Sequence, residues 1–274
     1  MSSLEDLSPA AQVARGVLSA PARHRDSNVL RLPFRVWRRP LVASPEAGGV
    51  DQLLVRADSR WRFLLKRGVD IASALIALTL FGLMLPVLAL LIKLDSPGPV
   101  FYTQTRIGRN RRRRRAGLAS EADRRKVLQP GRPFTIYKLR TMCANAEQSG
   151  PQWAAKGDAR VTRVGRVLRK TRLDEVPQFI NVLRGEMSLI GPRPERLCFI
   201  RKLEKDVPHY RERLLILPGI TGLAQVVNGY DESLDSVRRK VELDRQYIRE
   251  YGLKSDVKIV LRTIRVVLTG EGAC

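Results

Sequence analysis

Polar and apolar positions divide the chain into three stretches with different rhythms. Residues 1–58 mix Ala, Pro, Ser and Arg without sustained periodicity, which predicts a flexible extension. From Ile71 to Ile92 the pattern becomes uninterrupted: 22 residues carry no charge, and 13 of them are Leu, Ile, Val or Phe. Each of these favours a bilayer centre by about 0.3–0.6 kcal/mol, and the length suits the roughly 20 residues of one crossing. A buried core helix is the competing reading. The flanks bear on topology. Arg60, Arg62, Lys66 and Arg67 precede the run, while Lys93, Arg106, Arg109 and Arg111 to Arg115 follow it. Basic residues beside a membrane segment favour the cytoplasmic side. A segment over 59–95 that dips in and returns satisfies both flanks, with Pro86 as the bend. A kinked full span is the alternative.

Beyond Asp95 the rhythm is that of a folded domain, 96–274. Val100–Ile107 and Phe134–Met142 are short, rich in β-branched and aromatic residues, and can pair as a hairpin around a basic insertion over 109–132. Helical spacing marks Val161–Lys170, a segment containing Gln178–Leu183, and Ser236–Tyr251. Ser255 or Asp256 can cap a final helix. On it Lys258, Arg262 and Arg265 share one face, and Val257, Val260, Leu261, Ile264 and Leu268 cover another. That helix can lie on a membrane or pack against the domain.

Composition narrows the partners. Fifty Lys+Arg against 27 Asp+Glu give +23, which calls for nucleic acid, anionic lipid or a phosphorylated substrate. No DNA- or RNA-binding motif is present, so nucleic acid is not an expected partner. Cys143, Cys198 and Cys274 have no metal-type spacing, and only His24 and His209 are available for histidine chemistry. The acidic N-terminus lacks the apolar region of a signal peptide.

The richest segment for chemistry is Leu168–Gln178. Asp174 and Glu175 stand just before Pro177, and proline is tolerated only in a first helical turn, so both carboxylates mark a helix N-terminus. The dipole there suits an ionised carboxylate or a phosphate. One carboxylate can attack while the other ligates a metal; plain N-capping by Asp174 is the bland alternative. Arg169, Lys170 and Arg172 lie upstream to offset negative charge. Arg193, held between Pro192 and Pro194, presents a guanidinium suited to phosphate or carboxylate. The turn-rich segment Leu217–Gln225 offers backbone N–H groups, with Thr221 and Gln225, for a nucleotide. Lys138 and Arg140 alternate on the second strand and share a face.

The order of Ile136-Tyr-Lys-Leu-Arg-Thr-Met142, Leu173-Asp-Glu175, Asn181-Val-Leu-Arg-Gly-Glu-Met-Ser188, Gly191-Pro-Arg-Pro194 and Pro218-Gly-Ile-Thr-Gly222 resembles the bacterial sugar transferase family, the monotopic phosphoglycosyl transferases, over residues 60–270. The resemblance implies a re-entrant membrane helix followed by an α/β catalytic domain, mostly helical with a small β-hairpin. It implies Mg²⁺ as cofactor, Asp174 as nucleophile on a UDP-sugar with release of UMP, and Glu175 as metal ligand. Arg169 and Arg193 match family arginines. Polyprenyl (undecaprenyl) phosphate is the implied acceptor, and the implied setting is the cytoplasmic face of a bacterial inner membrane, among membrane lipids, with homo-oligomerisation left open.

Three positions depart from the family pattern: Leu85 precedes Pro86 where Ser is frequent, residues 109–132 are inserted between the strands, and Tyr230 follows Asn228-Gly where Arg is common. The last puts donor-binding assignments downstream of Gln225 in doubt. A basic nucleic-acid-binding protein and a membrane scaffold with a decayed active site are the rival functions.

Overall fold

A computed structural model describes residues 60–110, 130–148, 150, 152, 157–228 and 233–269. The extension over 1–58, the arginine run 111–115 and Tyr230 lie outside the described residues.

The apolar run belongs to α1 (Arg60–Asp95), a helix of 36 residues. At 1.5 Å per residue it is about 54 Å long. Its described side chains bury a single stripe of Lys66, Asp70, Ala74, Phe81, Leu88 and Ile92. Spacings of four and seven keep those residues on one side of a 3.6-residue helix. The remaining apolar positions face outward, with Ile76 64%, Leu83 77% and Leu94 75% exposed. A core helix would cover most of its circumference, so the core reading is discarded. Pro86 lies inside α1 and is exposed; the helix continues on both sides of it.

The buried stripe fastens α1 to the domain along its length. Ala74 packs with Phe134, Ile136, Val182 and Met187, and Phe81, Leu88 and Ile92 pack with Leu139 and Leu168. Polar clamps secure both ends. Lys66 Nζ donates to Asp256 Oδ2 at 2.7 Å, and Asp70 Oδ1 accepts from the Leu189 N–H at 2.9 Å and Ser188 Oγ at 3.1 Å. At the other end Asp95 Oδ2 accepts from the Val164 N–H at 2.8 Å, while the Arg140 guanidinium donates to the carbonyls of Pro97 and Ile92 at 2.8 and 3.2 Å. Of these, the buried Lys66 is paired with Asp256, and the buried Asp70 and Arg140 are hydrogen-bonded, which offsets the cost of removing them from water. Gly98 makes room for the Arg140 clamp: it adopts φ 127°, and a Cβ there would lie 2.1 Å from Arg140 Nη1.

β1 (Phe101–Ile107) and β2 (Pro133–Leu139) form the expected antiparallel hairpin, with Phe101 opposite Leu139 and Ile107 opposite Pro133. α2 (Arg163–Thr171) starts where Thr162 Oγ1 accepts from the Gly165 N–H at 3.0 Å. A 3₁₀ turn, Leu173–Gln178, leads into α3 (Phe179–Leu183). Then come β3 (Ser188–Ile190), α4 (Leu197–Asp206), a 3₁₀ turn over Tyr210–Leu214, β4 (Gly219–Thr221) and α5 (Leu223–Val227). β3 and β4 make a second, parallel pairing that periodicity did not predict, Ser188 opposite Gly219 and Ile190 opposite Thr221.

α6 (Leu234–Arg249) opens with a reciprocal cap in which the Ser233 and Ser236 side chains each accept from the other's backbone N–H. Its inner face joins Val237 and Val241 to a core with Ile200, Leu203, Tyr210 and Leu214. α7 (Leu253–Thr269) corrects one expectation. It begins before Ser255, and Asp256 does not cap it: that carboxylate is buried between Lys66 and the Tyr247 hydroxyl, 2.6 Å away. Val257, Leu261, Ile264 and Leu268 form an outward stripe, 58%, 63%, 51% and 81% exposed, so they do not pack on the domain. Among the described residues, then, the fold is predominantly helical with two small sheets and one long apolar helix.

Candidate active site

Arg172 fixes the local geometry of the carboxylate pair. It ends α2 in the left-handed conformation, φ 60° and ψ 13°, and redirects the chain into the 3₁₀ turn that carries Asp174 and Glu175. A non-glycine residue pays about 1–2 kcal/mol for that conformation, so the surrounding packing enforces the turn. Both carboxylates are buried. Asp174 is no N-cap: it lies inside the 3₁₀ turn, whose capping position is Arg172, and its Oδ1 is buried without a hydrogen-bond partner. The bland alternative therefore fails on geometry.

Glu175 is held tightly by contrast. Its Oε1 receives Lys138 Nζ at 2.8 Å and Arg193 Nη2 at 2.7 Å, while Oε2 has only a 3.4 Å contact with Arg193 Nη1. Burial pushes the Glu175 pKa up, but Arg193 and Lys138 together outweigh it and keep the carboxyl well below its usual range. Asp174 lies the other way. Burial, and then the neighbouring Glu175 charge, raise it to about 6 despite Lys138 and Arg169. Two adjacent carboxylates are thus driven apart, one locked as an anion and the other basic enough to act near neutral pH. Burial lowers Lys138, and the like charge of Arg193 adds to that against the attraction of Glu175.

The parallel β3–β4 sheet is what delivers Arg193. Gly219 N–H donates to Pro192 O, Ser188 N–H to Pro218 O and Gly191 N–H to Thr221 O, each at 2.9 Å. Two motifs far apart in sequence are thereby stitched backbone to backbone. This closeness explains their glycines: a Cβ on Gly219 would lie 2.1 Å from Gly191 N, and one on Gly222 2.2 Å from Gly191 O. It also alters one expectation, because the Gly219 N–H is spent on the ladder and not open to a nucleotide. Behind Arg193, the Arg213 guanidinium donates to the Arg193 carbonyl at 3.1 Å and pairs with Asp244 at 3.0 Å. Glu195 receives Lys240 Nζ at 2.9 Å and Arg106 Nη1 at 3.4 Å. Burial opposes ionisation of Glu195, yet Lys240, Arg213 and Arg106 hold it down to about 2.

These residues line a cavity of about 700 Å³. Asp174, Glu175, Lys138, Arg169 and Arg193 meet there; Arg169 Nε donates to Thr141 Oγ1 at 2.9 Å and contributes positive potential to Asp174. Arg140, Thr221 and Gln225 also line it, but most of their polar groups are engaged. Arg140 clamps α1, the Thr221 hydroxyl meets Thr263 Oγ1 at 2.9 Å, and Gln225 Nε2 donates to Ile220 O at 2.9 Å. The Gln225 Oε1 atom is buried without a partner. The strand ends at Leu139, so the alternation read through Lys138 and Arg140 stops one residue short. Pro86 is not among the lining residues. Sequence reading missed Tyr102, Gln104, Glu147 and Arg196 on the wall; the i, i+2 spacing of Tyr102, Gln104 and Arg106 on β1 was the available signal.

Magnesium fits this pair, although no group of three His, Cys, Asp or Glu is assembled among the described residues. Mg²⁺ commonly takes one or two carboxylates and completes its shell with substrate phosphates and water. Asp174 Oδ1 has no partner and Glu175 Oε2 only a long one, so each has spare acceptor capacity.

A helix carrying exposed apolar residues is thus joined to a basic cavity built on two carboxylates. The bacterial sugar transferase family matches residues 61–270, and the chain belongs to that family. It is 48% identical over 209 residues to a UDP-N-acetylgalactosamine-undecaprenyl-phosphate N-acetylgalactosaminephosphotransferase of Aeromonas hydrophila, covering 76% of this chain and 45% of that protein. It is 41% identical over 212 residues to a UDP-glucose:undecaprenyl-phosphate glucose-1-phosphate transferase of Caulobacter vibrioides, covering 77% of this chain and 72% of that one. An exopolysaccharide production protein of Rhizobium leguminosarum is 36% identical over 216 residues, 76% of this chain and 98% of its own length. The chain therefore spans under half of the Aeromonas relative and nearly all of the Rhizobium one.

Proposed function

We propose that this chain transfers a sugar 1-phosphate from a UDP-sugar to a polyprenyl phosphate, and so begins assembly of a polysaccharide or glycoconjugate. The observation that carries the reading is Asp174 Oδ1: a buried, unpartnered carboxylate oxygen in a basic cavity, beside a carboxylate already neutralised by Lys138 and Arg193. Asp174 attacks the sugar-linked phosphorus, forming a new P–O bond as the bond to the bridging oxygen breaks. UMP leaves with that electron pair. A phosphate oxygen of the lipid then attacks the same phosphorus, the Asp174 carboxylate departs, and a polyprenyl diphosphosugar results.

Arg169, Arg172 and Lys138 stabilise negative charge on the transferring group, which is most of what phosphoryl transfer asks of a protein. Arg193 holds Glu175 and adds charge beside the reacting group. Glu175 would hold Mg²⁺, which when bound would supply further neutralisation of developing oxygen charge.

The cytoplasmic face of a bacterial inner membrane is the proposed location, with α1 re-entrant. Both ends of α1 are tied to one body, through Lys66 and Asp70 at one end and Asp95 and Arg140 at the other, which supports a return to the same side. The exposed stripe on α7, flanked by Lys258 and Arg265, suits the same headgroup layer. A nucleic-acid binder leaves the outward face of α1 unexplained, and a decayed scaffold leaves Asp174 and its basic surround unexplained. The test is product identity. Purified protein with UDP-sugar and polyprenyl phosphate should release UMP; release of UDP would mean attack at the sugar carbon and would reject the proposal.

A further inference from the structure

One wall of the cavity has no part in the transfer step. Thr263, Val266 and Val267, on the last turns of α7, line it together with Ile220 and Ala224. Both valines are half-buried. None of these residues is charged, in contrast to Lys138, Arg169 and Arg193 elsewhere in the cavity. The hydroxyls at this wall are already committed: Thr263 Oγ1 donates to the Ile259 carbonyl at 2.8 Å and so accepts from Thr221 Oγ1 at 2.9 Å. The unpartnered atom beside them, Gln225 Oε1, is an acceptor, which repels phosphate.

The same wall leads out of the cavity. Residues three and four apart on a helix are surface neighbours, so Val267 adjoins Ile264, and Ile264 adjoins Leu268. Those two belong to the outward stripe and are 51% and 81% exposed. An aliphatic surface therefore runs along α7 from the cavity to the exterior. α2 touches both α1 and α7, and it leads through Arg172 into the turn that carries Asp174. Pro99 and Phe101, just beyond the end of α1, line the same cavity. Both helices with exposed apolar faces thus reach the carboxylate site. Of the two substrates, a nucleotide sugar is polar along its whole length. The acceptor alone carries hydrocarbon that must pass from a bilayer to a phosphate at Asp174.

We propose that Val266 and Val267, with Ile220 and Ala224, seat the first isoprene units of the acceptor, whose phosphate points to Asp174 and whose chain leaves over Ile264 and Leu268 into the bilayer. The proposal rests on the phosphosugar-transfer reading of the same cavity. It gives α7 a second task besides lying at the membrane: its inner edge aligns the lipid with the reacting phosphorus, and its outer stripe carries the remainder of the chain away.

The experiment uses the full-length protein in mixed detergent micelles and measures KM for undecaprenyl phosphate, KM for a UDP-sugar, and competition by farnesyl phosphate, which keeps the phosphate but only three isoprene units. Val266→Thr combined with Val267→Thr preserves side-chain shape and replaces two methyl groups by hydroxyls. Each buried methyl is worth about fourfold in affinity. KM for undecaprenyl phosphate and the inhibition constant of farnesyl phosphate should therefore both rise about tenfold, while KM for the UDP-sugar and the melting temperature stay at parent values. Independently of any substitution, a farnesyl phosphate bearing a diazirine on the unit next to the phosphate should label the tryptic peptide that begins at Val266, and undecaprenyl phosphate should suppress that label. Unchanged affinity for both lipids in the double variant overturns the proposal, as does labelling confined to other peptides. A rise in KM for the UDP-sugar alone would make this a donor wall, and weakened undecaprenyl phosphate with unaltered farnesyl phosphate would leave α7 a membrane contact only; either result also overturns it. Failure of the underlying transferase reading would appear separately, as no UMP released from any UDP-sugar by the unsubstituted protein.

Discussion

Gly219→Ala tests whether the ladder between β3 and β4 sets the position of Arg193. The added Cβ would lie 2.1 Å from Gly191 N, 2.4 Å from Thr221 O and 2.6 Å from Gly191 O, all of them backbone atoms with no rotamer to change. Ordinary contact begins at 3.4 Å, so the two segments must part by more than 1 Å. That parting breaks the bonds from Gly219 N–H to Pro192 O and from Gly191 N–H to Thr221 O, both 2.9 Å. Each buried group left unpaired costs about 1–3 kcal/mol, and overpacking adds a comparable amount, giving roughly 3–6 kcal/mol of destabilisation. For a domain of this size each kcal/mol moves the midpoint by about 2–4 °C, so the midpoint of thermal unfolding in detergent should drop by roughly 6–24 °C. Turnover measured below that midpoint should fall about a hundredfold, because Arg193 follows directly on Pro192 and an ångström of misplacement is that costly. Gly68→Ala is the control. Nothing lies within 4 Å of a Cβ there, and the position is an exposed helical one, so it should be neutral or gain up to about 1 kcal/mol. Parent-like melting and turnover in Gly219→Ala would refute the idea that this close approach positions the guanidinium.

Asp174 must be ionised to attack, and its raised value of about 6 implies a kcat/KM profile that is full above that pH and lost below it. Lys138→Met removes a charge that lowers Asp174, so the acid limb should move to higher pH; a limb that stays put or moves down contradicts the assignment. Glu195, depressed from 4.5 to about 2 by Lys240, Arg213 and Arg106, contributes stability that is present above the ordinary glutamate range and fades as pH falls towards 2. Glu195→Gln should therefore cost roughly 3 kcal/mol at pH 7 and progressively less on acidification, read by melting temperatures of the two proteins across pH. For topology, cysteines placed at Ser59 and Ser96 should both react with an impermeant reagent only from the cytoplasmic side, and periplasmic labelling of either would remove the re-entrant arrangement.

How much of this was legible before any coordinates depended on how local each signal is. The apolar run and the hairpin were readable because their periods, or lack of one, are carried by neighbouring residues. The carboxylate pair was readable through Pro177, which restricts what can precede it. That Asp174 goes unpartnered while Glu175 is doubly neutralised was not readable, since Lys138 and Arg193 arrive from β2 and the turn after β3. The β3–β4 ladder escaped because three-residue strands carry too few positions for an alternation. Arg140 was misjudged for a related reason: the sequence shows its alternation with Lys138, but not that the C-terminus of α1 ends within its reach with carbonyls to satisfy. Asp256 looked like a cap because capping residues look alike in sequence. Its actual partner, Lys66, is 190 residues away.

The central claim is a carboxylate nucleophile, and trapping the phosphosugar on the protein tests it most directly. The full-length protein is incubated with UDP-sugar and Mg²⁺ in the absence of polyprenyl phosphate, acid-quenched, digested and examined by mass spectrometry, with exchange of labelled UMP into UDP-sugar followed in parallel. The expected result is a phosphosugar mass on the peptide containing Asp174, together with acceptor-independent exchange, both absent in Asp174→Asn because an amide is a poor nucleophile at phosphorus. If UMP is released only when the lipid is present, with no exchange and no modified Asp174 peptide, then the lipid attacks directly and Asp174 is not the nucleophile.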